Sequence, residues 1–477
     1  MQFNSYSYLL CLALATVMFW ALPVRFRRGY VLALSLIFYA TWNLYLVVIP
    51  FVLCTITFLC ARVIGSNKDQ PPARRALKAG IAAIITILGI AKYRGFVISN
   101  LSLVIPWLHS HPFPTILMVG LPLGISFYSF EAISYLLDTR QGRVNSSSFI
   151  DLALFIMFWP HLIAGPIVRS RELIPQLKFS RPFEIRFLYA GLDRLILGLV
   201  QKNFIANSLG SWVDDGYLPK VAALNTTIDC WFLAIAFGLQ IYFDFSAYSN
   251  MAIGAAQLLG VTLPENFRFP YHASTPAEFW SRWHMTLSRW IRDYVFFPLN
   301  AGLRGKKLQL YASMIGAMGL VGLWHGAGWG YILWGLMHGA YLVLYRALEG
   351  DAEKPSPALL RWLGRIFTLA AVAAAWVPFR SATLAQAATM LSSMFWRFTF
   401  GMSYSVNFYL VTVLGCGFCA VEPYLGRLIQ KGDALGERIR AYAGINEYLL
   451  RPLAYACLLM VFLAFDDRDT QFIYFQF

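Results

Sequence analysis

Seven histidines stand in this chain, at positions 109, 111, 161, 272, 284, 325 and 338. Imidazole is the side chain best suited to exchange a proton near neutral pH. His325 has the most informative surroundings: Gly322-Leu323-Trp324-His325-Gly326-Ala327-Gly328-Trp329-Gly330. It lies between two apolar runs, in a glycine-rich break where a backbone or a ligand can approach closely. Burial there would keep the ring neutral, the form a general base needs. A histidine hydrogen-bonded inside a helix bundle satisfies the same pattern, and an ionisable group within a membrane tips the balance only slightly toward function.

The other candidates are weaker. His284, in Phe279-Trp280-Ser281-Arg282-Trp283-His284, falls on a predicted amphipathic helix and shares a stripe with Trp280 and Ser288. Taken alone, that placement favours an interfacial anchor. Asp244, in Gln240-Ile241-Tyr242-Phe243-Asp244-Phe245-Ser246, sits deep in an apolar run and must be paired, protonated or facing a cavity. An arginine of a re-entrant helix would serve as its partner as well as any catalytic role would explain it. His161, in Trp159-Pro160-His161-Leu162-Ile163-Ala164-Gly165-Pro166, fits a turn-shaping role. Arg292-Asp293 reads as a local pair, and His109 and His111 as solvated loop residues. The chain has no nucleotide-binding glycine loop, no GxSxG elbow and no zinc signature, so a serine hydrolase is weakly supported and no metal is expected.

The elements that must position these residues belong to a membrane. Of 477 residues 58% are hydrophobic and 13% charged, against about a quarter charged in a soluble domain. The run 6–24 lacks a basic residue before it and a small-residue cleavage pattern after it, and so reads as a retained span. The net charge of +15 falls mainly between apolar runs, where membrane orientation needs it, which argues against nucleic acid as a partner. The seven cysteines sit mostly in apolar runs and read as packing residues, including the Cys416/Cys419 pair.

Apolar runs near 6–24, 30–43, 45–64, 79–98, 114–137, 187–207, 228–258, 308–323, 329–347, 363–379, 403–424 and 448–465 predict crossings. The connections 25–28, 68–78, 138–147, 169–186, 264–307, 346–365 and 425–451 are rich in Lys and Arg, whereas 99–113 and 208–227 carry one lysine between them. The positive-inside rule then puts the N-terminus outside, and twelve crossings return the C-terminus outside. Both flanks of 148–166 become cytoplasmic, which makes that segment re-entrant. Residues 277–298 repeat Phe279, Trp283, Leu287, Trp290, Tyr294 and Phe297 at helical spacing, with Arg282, Arg289, Arg292 and Asp293 on other faces. They predict one amphipathic helix dipping into the membrane from the cytoplasm. The expected architecture is an all-α integral membrane protein of about 11–12 transmembrane helices with re-entrant and interfacial helices.

Several segments together resemble the membrane-bound O-acyltransferase (MBOAT) family, in its bacterial polysaccharide-acetylating branch, which includes the alginate O-acetylation membrane subunit. They are 127–138 (FYSFEAISYLLD), 159–169 (WPHLIAGPIVR), 242–254 (YFDFSAYSNMAIG), 264–299, with its RWH…LSxWxRDY pattern, and 322–335 (GLWHGAGWGYILWG). The resemblance implies a single domain over 1–477: peripheral helices at 1–126, a catalytic core at 127–347, and C-terminal helices with an outward-facing tail at 348–477. It implies a tunnel enclosed by the helices, His325 as the catalytic histidine and His284 as a second, upstream one. Asp244, Trp324, Ser288 and Asn266 are candidates for supporting roles. The terminal run Phe472–Phe477 resembles an aromatic motif of acyl-export systems in which a tyrosine, here Tyr474, is a candidate acyl relay; aromatic anchoring at the interface explains the run as readily.

The expected activity is transfer of an acetyl group from a cytoplasmic donor, acetyl-CoA, to an exported polysaccharide of alginate or cellulose type. Arg282, Arg289 and Arg292 on the basic 264–307 face would meet the donor's phosphates. No bound cofactor is expected. The expected partners are the bilayer, the donor and a periplasmic acetyltransferase-like protein, with the chain in a bacterial inner membrane. A transporter of polysaccharide or lipid-linked sugar is the rival reading, though the paired internal repeats common in transporters are absent.

Overall fold

A computed structural model describes residues 2–68, 70–105, 121–144, 148–302, 306–349, 357–443, 455–457, 460 and 472–473, with backbone alone for 425–443. The described residues form helices and connecting turns and no strand. Five helices are long and apolar enough to cross a bilayer: Tyr45–Ser66, Pro71–Ser102, Thr227–Leu258, Ala358–Arg380 and Val406–Tyr424. Each coincides with a run expected to cross. The chain is a multi-pass membrane protein, and it folds into two compact units interleaved in sequence.

The first unit comprises Met1–Leu195 and Tyr248–Glu265. Its opening helix, Tyr6–Ala21, is capped by the Ser5 hydroxyl, which accepts from the Tyr8 amide. The next helix begins at Val24, directly after Pro23, and runs to Ala40. Arg25–Arg28 therefore belong to a helix and not to the expected connection. Arg27 is buried because its guanidinium lies over the Phe19 and Trp20 rings and donates to the carbonyls of Leu22, Phe179 and Arg181. Ser148 caps Phe149–Met157, whose nine residues rise about 14 Å, less than half of a ~30 Å hydrocarbon core. The buried, irregular stretch that follows is held by contacts within the protein. His161 Nδ1 meets Glu131 at 3.1 Å, and the His161 carbonyl accepts from the Gly165 amide. This is the short, protein-lined element that a re-entrant segment requires.

The second unit comprises Ile196–Ala247 and Asn266–Gln476. The run 187–207 does not end where hydropathy predicts. The helix Ile185–Val200 passes through a π turn, Gln201–Ala206, into Asn207–Gly216. Residues 277–298 are likewise not one helix: Pro276–Arg282 and Met285–Ile291 are separate, and a π turn, Arg292–Phe296, leads to Phe297–Asn300. The break falls at His284, whose φ of 39° lies in the left-handed region that a non-glycine residue enters only when its surroundings hold it there. An additional helix, Leu384–Phe395, capped by Thr383, went unanticipated because its apolar residues alternate with small ones. The expected span at 114–137 is observed as Ile125–Arg140, its earlier residues to 120 lying outside the described set, as does most of 448–465.

The helices Lys307–His325 and Trp329–Glu349 form a tight hairpin across Gly326-Ala327-Gly328. Glycine permits the closeness. A Cβ at Gly322 would collide with the Tyr331 carbonyl, one at Gly335 with the Met318 carbonyl, and one at Gly339 would lie 2.8 Å from Ile315 Cα. Small residues four apart let two helix backbones approach in this way. Replacing Gly322 or Gly335 by Val should therefore destabilise the fold by about 1–3 kcal/mol, read as a lower melting midpoint in detergent. Gly417→Ala, where nothing lies within 4 Å of the added carbon, should melt like the parent.

Candidate active site

His325 closes its helix immediately before the glycine turn and is 3% exposed. Aromatic edges surround it, with Trp324 at 4.9 Å, Trp334 at 5.1 Å and Phe379 at 5.5 Å between ring centroids. Trp376 stacks on Trp334 and stands edge-on to Phe379, extending the wall.

The strained turn places His284 against the same indole. Its ring, 0% exposed, lies 5.9 Å from Trp324 and 4.7 Å from Phe245. Asn266 fixes it. The Asn266 side-chain oxygen accepts the Thr286 hydroxyl at 2.6 Å and faces His284 Nδ1 at 3.3 Å. With that oxygen as acceptor, Nδ1 carries the proton and Nε2 presents its lone pair. Nε2 has no hydrogen-bond partner among the described residues. The Asn266 carbonyl takes the Met285 amide, and the Arg282 carbonyl takes the Arg268 amide, so two backbone bonds brace the left-handed residue. Burial pushes the His284 pKa down to about 3.

Of the expected residues, the structure gathers His325, His284, Trp324 and Asn266 into one cluster. Ser288 is adjacent in sequence, but its hydroxyl donates to the Trp283 carbonyl and serves the turn. The three arginines are engaged locally: Arg282 with Glu278, Arg289 with the Met285 carbonyl, and Arg292 with Asp293. Asp244 pairs with a lysine and not with an arginine of the re-entrant helix. Lys202 Nζ lies 2.6 Å from its carboxylate, with the two residues 2% and 1% exposed. The other carboxylate oxygen accepts the Ile473 amide at 2.8 Å, and Lys202 Nζ stands 4.4 Å from the centre of the Phe472 ring. The Lys202 partner lies 42 positions away in a π turn, where hydropathy marks only a span. Tyr474 lies outside the described residues.

His338 has no motif around it in the sequence. It is 1% exposed and packs on Trp334, Trp280 and Phe279, the far side of the wall that faces His325. Its spacing of four from Trp334 was the available signal. Among the described residues no three His, Cys, Asp or Glu side chains are placed to hold a metal ion.

Residues 34–348, which carry both site histidines, match the model of MBOAT, the membrane-bound O-acyltransferase family. The chain belongs to this family. It is 38% identical over 400 residues to the probable alginate O-acetylase AlgI of Azotobacter vinelandii, covering 83% of this chain and 78% of that one. The protein of the same name from Pseudomonas putida is 33% identical over 472 residues, 95% of both chains. The peptidoglycan O-acetyltransferase of Helicobacter pylori is 35% identical over 483 residues, covering 94% and 85%. Membership makes the chain a membrane O-acyltransferase and sets aside the transporter reading.

The unfolded chain binds a proton at His284 below about pH 6.5, whereas the folded ring resists it until about 3. Folding stability therefore falls as pH drops through that window. Melting midpoints stepped from pH 7 to 4 should decline less in His284→Gln than in the parent. Lys202→Met should strand a buried carboxylate and cost about 3–5 kcal/mol, with much of the loss recovered when Asp244→Asn is added.

Proposed function

We propose that this membrane O-acyltransferase moves an acetyl group from acetyl-CoA on the cytoplasmic side to an exported polysaccharide, with His325 as general base. The observation that carries the reading is the Trp324 indole, against which both His325 and His284 pack. A hydroxyl held at His325 gives its proton to the imidazole as its oxygen attacks the thioester carbonyl. The tetrahedral intermediate then collapses, the carbon–sulfur bond breaks, and the proton passes to the departing thiolate. The products are an ester and free CoA thiol.

The bare Nε2 of His284 has no proton to give an oxyanion, so its part is to accept a hydrogen bond from an N–H or O–H of a bound substrate and orient it. Asn266 is then a positioning residue acting through that ring. Alginate and peptidoglycan are the polymers named for the relatives, and both present hydroxyls to an acetyl group. Cellulose offers the same chemistry. A partner on the outer, periplasmic side would complete delivery from an inner-membrane enzyme whose termini face outward.

His325→Ala should lower acetate on the exported polymer by about 100-fold or more while the protein still inserts in the membrane. Normal acetate content in that variant would reject the assignment. Purified protein given labelled acetyl-CoA should release CoA only when a hydroxyl acceptor or the outer partner is supplied.

A further inference from the structure

Within the second unit a cavity of about 580 Å³ opens between the helices Thr227–Leu258, Ala358–Arg380 and Val406–Ala443. That volume falls in the range of ligand sites, about 300–1,000 Å³, yet its walls are nearly all apolar, among them Trp231, Ile366, Leu369, Cys416 and Trp376. Its polar side chains, beside the thiols of Cys416 and Cys419, are Arg365, His272, Tyr424 and Tyr271, whose hydroxyl donates to the Gly238 carbonyl. The His272 ring is satisfied, its Nε2 donating to the Ala420 carbonyl at 2.9 Å. Arg365 stacks over Trp362, but its Nε, buried from solvent, has no hydrogen-bond acceptor among the described residues. Among the described residues no carboxylate lines the cavity. A buried guanidinium N–H without an acceptor is costly, which makes it a marker for an anion that belongs there.

The direction in which the cavity opens identifies the class of that anion. Trp362 and Ile366, both lining it, are 61% and 60% exposed on a helix apolar enough to cross a bilayer. An exposed apolar face on such a helix meets lipid. Arg365 lies two turns into that helix, with the exposed Arg361 one turn before it, near the end of a span where headgroups lie. From Arg365 to Trp376, at the other end of the lining stretch, the helix rises about 16 Å. One leaflet of hydrocarbon is about 15 Å deep, half of the ~30 Å core. The cavity thus has the length of one acyl chain, with positive charge where a phosphodiester would sit.

We infer that this cavity is a binding site for an anionic phospholipid, with one acyl chain along the apolar walls and the headgroup phosphate on Arg365. The net positive mouth favours a lipid of net negative charge over a zwitterionic one. The tail would end on Trp376, which also stacks on the tryptophan beside His325.

The test uses the full chain, delipidated in detergent, with phosphatidylglycerol, phosphatidylcholine or inorganic phosphate added. Bound lipid is counted by native mass spectrometry and stability followed by melting. Phosphatidylglycerol should bind and raise the midpoint more than phosphatidylcholine, and phosphate alone should do neither. Arg365→Gln should lose about ten-fold in phosphatidylglycerol affinity and with it the preference. Ala370→Trp, which fills the cavity from its wall, should lower uptake of both lipids even if the arginine variant fails to fold. Equal affinity for the two lipids, stabilisation by phosphate alone, or unchanged binding in both variants would overturn the inference.

Discussion

In hydrocarbon, water is not there to solvate a polar group, so each one must find its complement inside the protein. That constraint organises this molecule more than any single helix does. Lys202 and Asp244 share their charges and take in a backbone amide from far along the chain. Glu131 and His161 hold the irregular turn after Met157 together. Asn266 collects a hydroxyl and an imidazole on one oxygen. Each arrangement fixes an irregular piece of backbone that propensity alone would not produce, and irregular backbone is where chemistry can be placed.

The site histidines are held by two different means. Backbone bonds and one amide side chain hold His284, in a conformation costing about 1–2 kcal/mol for an L-residue. The His325 ring is walled by aromatic edges at the end of a glycine-packed hairpin. Positive ring edges and negative faces give such contacts a preferred geometry, so the wall orients the imidazole as well as drying its surroundings. Trp324, next to one histidine in sequence and against the other in space, makes the two placements a single unit.

The sequence displayed the apolar spans, the glycine-rich break at His325 and the family motifs, since these are local patterns. It displayed poorly whatever depends on a partner far along the chain. The helical spacing of Phe279, Trp283 and Leu287 was real, but the bonds from the 266–268 strand of backbone that bend the chain at His284 lie outside any local period. Asp244 was legible as a group needing a partner, while Lys202 was hidden in a stretch that reads as plain span. Arg27 reads as part of a connection because charge dominates a hydropathy window, although two aromatic rings bury it.

The bond from Ile473 to Asp244 closes a loop of 229 positions. A ribosome adding about 5–20 residues each second needs on the order of 10–50 seconds to cover that distance. For that interval the Lys202–Asp244 pair sits one donor short while the later helices are still being made. Newly made chains must therefore spend time in the bilayer with an acceptor open, and whatever surveys nascent membrane proteins would meet this enzyme first in that incomplete form.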